Sequence, residues 1–367
     1  MLRLFSTLAV AAVFAIHAAA AFAEKPVTIK HSRAEIETKW EARIRSFLAK
    51  GVIPLIDLES SLRREDGERY LEDALRAMDE AGVALIAFDG YQAPKADDAQ
   101  KGYRWGYYIH EIVNAHPDRF ILASNGGVNP NWTQGKDSFI AQTEEQVRGG
   151  QYPIMGEFEF RHYMSSQQCK QNRTDRDVDL ALDGPNGHRL FKLAEETGVA
   201  FVIHNEPEDA ALDGLEKMLK AYPKAKVINA HFGQIRHPEK QRRFTPEFVR
   251  RLLSTYPNFY YDISTGYPGR GYQCGASLDT AIWQRDGGSQ KAELDPAYKA
   301  ILAEFSTRFV AGMDYGGGRL PLPQFIETRA ANARLIIRDL PADARRNIGY
   351  RNAWRLLTGR EWKDATP

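Results

Sequence analysis

Along most of this chain, short apolar runs alternate with longer amphipathic stretches. Residues 52–59, 83–89, 120–124, 154–160, 199–204, 226–231, 259–263 and 308–314 have the length and the branched or aromatic enrichment of strands. Residues 68–81, 103–115, 136–148, 188–197, 212–221, 246–255, 296–305 and 324–338 carry helical periodicity. Gly82 and Gly198 stand where two of these helices stop, and Pro117 follows a third. No fixed-period repeat accompanies this rhythm. Eight strands alternating with eight helices predict a parallel α/β fold, a single-domain (β/α)8 barrel. An open doubly wound sheet is the alternative, but no GxGxxG follows the first strand.

The same pattern divides the chain into a leader at 1–23, a lead-in segment at 24–50, the barrel at 51–358 and a tail at 359–367. Two connections, 161–187 after strand four and 264–295 after strand seven, exceed the usual few residues, as lids and binding loops do. Each holds one of the two cysteines, Cys169 and Cys274. A disulfide between them would either strap the loops across the barrel mouth or staple the fold away from the chemistry. Free thiols and soft metal ligands are the other readings, and no CxxC spacing supports ligation.

The polar residues at the strand ends carry the functional signal. Strand one ends with Asp57, Glu59 and Ser61 in one phase of a period of two, and strand four with Glu157 and Glu159. Strand five delivers His204 and Glu206, strand six His231 and strand eight Asp314. One such acid is ordinarily a helix cap, and one such histidine a satisfied core residue. Five strands sending acids and imidazoles to one rim point instead to a divalent metal at the mouth.

These pieces, Ile56-Asp57-Leu58-Glu59, Gly156-Glu157, Val202-Ile203-His204, Ala230-His231-Phe232-Gly233, Gly312-Met313-Asp314-Tyr315 and the closing Asn352-Ala353-Trp354-Arg355-Leu356-Leu357, resemble an amidohydrolase-related protein of the metal-dependent hydrolase superfamily. The branch concerned also contains aromatic-acid decarboxylases. The resemblance implies a barrel with metal at its C-terminal mouth, held by Glu59, His204 and Asp314 with His231 and waters. It implies Glu157 as a further ligand, a bridge to a second ion or a supporting acid. Asp314 would also take the proton of water, and His231 would polarise the substrate. The family usually ends strand one with His-x-His, where this chain has Glu59 and Ser61. Carboxylate in place of imidazole hardens the site, moving it from zinc toward manganese. Arg161, Arg236, Arg270 and Arg319 are candidates to clamp a substrate carboxylate, and Trp132, Tyr163, Tyr267 and Tyr315 to wall a pocket. Hydrolysis of a small ester, lactone or amide is the leading expectation. Non-oxidative decarboxylation of an aromatic or unsaturated acid comes second, and a non-catalytic exported ligand-binding barrel third.

Charge and the N-terminus narrow the setting. A net charge of +1 gives no general attraction to nucleic acid or anionic membrane, so a small molecule is the expected partner, with homo-oligomer formation left open. Arg3, the apolar run 4–20 and Ala21-Phe22-Ala23 read as a cleavable export signal, leaving no later membrane span and placing the mature chain in the periplasm or outside the cell. The sequons at Asn131 and Asn172 would matter only in a eukaryotic secretory host.

Overall fold

A computed structural model describes residues 26–90, 107–126, 132, 137–275, 277–316 and 320–364. The leader, Asn131 and Arg319 lie outside the described residues. Eight parallel strands run in the order of the chain: β1 (Leu55–Asp57), β2 (Val83–Asp89), β3 (Phe120–Ala123), β4 (Ile154–His162), β5 (Ala200–Asn205), β6 (Val227–Asn229), β7 (Phe259–Asp262) and β8 (Phe309–Val310). Helices alternate with them, among them Arg64–Ala81, Pro185–Thr197, Pro246–Thr255 and Leu322–Ile337. The predicted (β/α)8 TIM barrel is therefore the observed fold.

The ladder stops between β8 and β1, and the chain closes the barrel just beyond both strand ends. Asp314 N donates to Glu59 O at 3.0 Å and Ser61 N to Tyr315 O at 2.6 Å. Asp57 reinforces this seam, its Oδ1 accepting from Met313 N at 2.9 Å and Glu59 N at 3.1 Å. Ser60 Oγ donates to the other oxygen at 2.5 Å. Glu59 and Asp314 thus face one another across a hydrogen-bonded join rather than from free loops.

Two cores explain which strand residues point inward. An outer core packs helices onto the barrel, with Phe201, Ile203 and Phe158 among its members. An inner one gathers Ile56, Ile154, Ala200, Val202, Ile228, Ala230 and Val310. On β5 the period of two that places Ala200 and Val202 inside also points His204 inward. On β4 the register shifts between Met155 and Phe158, so Ile154 lies inside but Phe158 lies outside. That one-residue slip turns Glu157 and Glu159 toward the barrel axis.

Three segments differ from the sequence pattern. The lead-in contains a 17-residue helix, Arg33–Ala49, started by a Ser32–Glu35 capping box. Its Ile36, Trp40, Ile44 and Phe47 join the inner core together with Tyr350 and Trp354. Mean hydropathy disguises this helix because Glu, Lys and Arg surround the apolar stripe. The connection at 264–295 contains an antiparallel hairpin, Trp283–Asp286 with Ser289–Leu294. Strand eight is only two residues long, since the chain beyond it turns to meet β1.

Cys169 and Cys274 form a disulfide with Cα atoms 5.7 Å apart. It joins the loops after β4 and β7, which also meet through Tyr272 Oη donating to Met164 O at 2.9 Å.

Candidate active site

His231 is the hub of the mouth. It follows β6 in the left-handed region, with φ of 61°, and Asp314 after β8 has φ of 60°. Each such non-glycine residue costs about 1 kcal/mol or more, so surrounding bonds must hold them. For His231 they come from β7: its N–H donates to Asp262 Oδ1 at 2.9 Å, and Phe232 N to Asp262 O at 3.0 Å.

The proton on His231 is fixed by its surroundings. Nδ1 lies 3.1 Å from the Ser264 carbonyl and 2.8 Å from Ser264 Oγ. A carbonyl only accepts, so Nδ1 carries the hydrogen and Nε2 the lone pair. That lone pair faces Glu59 Oε1 at 3.4 Å and Glu157 Oε1 at 3.8 Å. Glu59 Oε1 is fully enclosed and has no hydrogen-bond partner among the described residues. Two carboxylate oxygens and an imidazole lone pair therefore converge, with no hydrogen-bond partner at Glu59 Oε1 among the described residues, an arrangement that a cation resolves.

Two groups share this hub. Glu157, His204 and His231 place one donor atom each within 4.8 Å of one another, as do Glu59, His231 and Asp262. The donor set, three carboxylates and two imidazoles, suits a divalent metal ion. Glu59, His204 and Asp314 do not make one such group, so the compact cluster centres on His231. Asp314 lies beside it, more open than its neighbours, with 29% of its side chain exposed and Arg329 at 3.5 Å.

Electrostatics carry the same imprint. Burial raises the Glu59 carboxyl well above its usual range, and the charges of Asp262, Glu157 and Asp314 push it further. Burial alone would lower the His204 imidazole. The Glu157 carboxylate, 2.9 Å from Nδ1, and Glu206, 3.5 Å from Nε2, instead push it up to about 10. Burial opposes ionisation of Glu157, yet His204 and His231 bring it down to about 2. His231 is lowered by its own burial and by the neighbouring His204.

Behind His204, the His162 ring packs edge-on at 4.4 Å and Glu159 pairs with Arg176. The indole of Trp132 donates to Glu159 O at 2.7 Å from among Phe139, Phe158 and Phe160, so it belongs to the core that braces β4. The arginines are engaged with protein groups. Arg161 binds Glu208, Asp177 and the Val178 carbonyl. Arg236 binds Glu206, Asp279 and the Tyr163 carbonyl, and Arg270 lies 3.2 Å from Asp279. Tyr163 stacks under Arg161 and donates to Glu208, Tyr315 packs on Phe325, and Tyr267 is mostly exposed.

Sequence reasoning missed Asp262, Ser264 and Asp89. Asp262-Ile263-Ser264 repeats the acid-x-serine spacing of Glu59-Ser60-Ser61 at a strand end, a signal that was available. Asp89 ends β2, where it accepts from Ser61 Oγ at 2.8 Å, and burial pushes it up to about 8. Ser61, at the position of the family's second histidine, is thus spoken for by an acid.

Comparison with characterised protein sequences finds no match. Among solved structures, a 2,6-dihydroxybenzoate decarboxylase in complex with 2,6-dihydroxybenzoate is similar at 14% identity and a TM-score of 0.46, over 83% of this chain and 99% of that one. A 4-oxalomesaconate hydratase from Rhodopseudomonas palustris is similar at 13% identity and 0.46, over 88% and 91%. A dihydroxybenzoic acid decarboxylase from Polaromonas sp. JS666, with bound manganese and 2-nitroresorcinol, reaches 15% identity and 0.45, over 83% and 96%. The family model described as amidohydrolase matches residues 107–358, from the helix before β3 to the closing helix. With that match spanning most of the barrel, the chain belongs to the amidohydrolase family.

Proposed function

We propose that this protein is a metal-dependent hydrolase of a small ester, lactone or amide. The observation that carries the reading is the division of labour among its acids. Glu59, Glu157 and His231 turn donor atoms toward one another, while Asp314, next to them, keeps part of its carboxylate open. Glu59, Glu157 and His231 would hold the ion, with His204 or Asp262 completing the set. A divalent ion, manganese or zinc, supplies Lewis-acid polarisation of a carbonyl oxygen and acidifies water. A second ion is compatible with two donor groups sharing His231.

The chain's own groups do the rest. Asp314 receives the proton of the attacking water and passes it to the leaving group. Arg329 and the backbone bond to Glu59 keep that carboxylate at the seam. His204 holds Glu157 in place through Nδ1–H, and Ser264 holds His231. The disulfide restrains two of the loops that border the mouth.

The test is an assay of metal-stripped and reconstituted protein on panels of esters, lactones and amides. Hydrolysis that needs the metal supports the reading. Asp314→Asn should then lose about 10²- to 10⁴-fold in turnover while keeping its metal. Unchanged turnover would reject the role of Asp314. Decarboxylation is the second reading, favoured by Glu59 and Ser61 where the family usually has two histidines. Carbon dioxide released from aromatic acids, with no hydrolysis across the panels, would establish it instead.

Export to the periplasm or beyond is proposed on the N-terminal apolar run, and the disulfide suits an oxidising compartment. Cell fractionation with N-terminal sequencing tests it.

A further inference from the structure

Ser264 stands where three functional groups meet. Its Oγ is 2.8 Å from His231 Nδ1, 2.8 Å from Glu59 Oε2 and 2.6 Å from Asp262 Oδ1. The hydroxyl has a single proton to give. Because His231 Nδ1 already carries a hydrogen, the imidazole donates to Oγ and the hydroxyl proton goes to a carboxylate. Asp262 Oδ1 is already supplied by the N–H groups of His231 and Ser264. Ser264 is the only hydrogen-bond donor to the Glu59 carboxylate among the described residues.

We propose that Ser264, seated by Asp262, is a positioning residue that couples His231 to Glu59 and so presets the cation site. Through one oxygen it orients Nε2 of the imidazole and Oε1 of the carboxylate toward the same point, 3.4 Å apart. Asp262 acts one step further back, fixing the Ser264 backbone at 2.9 Å and the left-handed turn at His231. The backbone just beyond β8 closes over this pair at Gly312. A Cβ there would fall 3.0 Å from Ser264 Cβ and 3.1 Å from Asp262 Cγ, so any larger residue would press on both side chains. Such supporting hydrogen bonds ordinarily set metal affinity as strongly as some ligands do.

The inference rests on the cation site proposed for Glu59, Glu157 and His231, and the experiment separates the two. Metal-stripped wild type, Ser264→Ala and Ser264→Thr are titrated calorimetrically with Mn²⁺ and with Zn²⁺, and the thermal unfolding of each apoprotein is recorded. Ser264→Ala should bind about 10- to 100-fold more weakly, and Ser264→Thr, which restores the hydroxyl, should recover most of the loss. Wild-type binding equalled by Ser264→Ala overturns the role of Ser264 alone. A wild type that binds neither ion overturns the site reading itself. A loss of thermal stability without loss of affinity would make Ser264 merely structural. Independently of any variant, ¹⁵N-correlated imidazole NMR of the Zn²⁺-loaded wild type should show the hydrogen of His231 on Nδ1. Finding it on Nε2 overturns the proposal.

Discussion

Replacing Glu59 with glutamine should stabilise the metal-free protein and abolish its response to metal. Glu59 and Asp262 bring donor atoms within 4.8 Å of each other in a buried setting. At that distance and an effective dielectric of about 20, two carboxylates repel by about 3 kcal/mol. Proton uptake relieves part of this near neutrality, because the raised Glu59 carboxyl takes up a proton more readily than an exposed one. The expected gain for Glu59→Gln is therefore about 1–3 kcal/mol, rising with pH as the wild-type acid ionises. A glutamine keeps the oxygen that accepts from Ser264, so packing changes little. Urea unfolding of the metal-stripped proteins measures the difference. With Mn²⁺ at 100 times its Kd, the wild type should gain about 2.7 kcal/mol, and the variant almost nothing. A variant less stable than apo wild type, or one stabilised equally by Mn²⁺, would refute the reasoning.

Three further outcomes follow from other parts of the molecule. The Cys169–Cys274 bridge closes a separation of 105 residues, worth up to about 4.7 kcal/mol in the chain-entropy model. Cys169→Ser/Cys274→Ser should unfold at lower urea, and equal midpoints would contradict this. His110, 2.9 Å from Tyr152 Oη, is lowered by burial to about 4. The unfolded chain then binds the extra proton between about pH 6.5 and 4, so stability falls as pH drops through that window. His110→Phe should remove about 2 kcal/mol of the difference between pH 7 and 4.5, and an unchanged difference would exclude His110 as its source. Asp57→Ala strands the donors of Met313, Glu59 and Ser60 at the seam. It should cost about 3 kcal/mol or more in unfolding free energy, and a loss under 1 kcal/mol would contradict the seam role.

The barrel was legible because its signal is repeated. Strands β2 and β4 and the helices at 246–255 and 137–148 have clean periodicity and sharp Gly or Pro boundaries. The short ends were harder to read. The sequence suggests a strand at 308–314, but a pairing with β1 bends the chain after Val310, and only tertiary contacts reveal that. The positions of Glu59, Glu157, His204 and His231 in or just beyond the strands were visible in the sequence. Their grouping was not, since the β4 register shift and the left-handed turn at His231 decide which atoms converge. The arginines illustrate the limit. Positions after strands suggested a substrate clamp, whereas Arg161 and Arg236 neutralise Glu208, Glu206 and Asp279, acids contributed by other loops.

The most direct test of the central claim is anomalous diffraction at the manganese edge from crystals grown with Mn²⁺. The account predicts a peak within bonding distance of His231 Nε2, Glu59 Oε1 and Glu157 Oε1, and its loss in Glu59→Gln crystals. A fully occupied ion elsewhere, with those three atoms left uncoordinated, would contradict it.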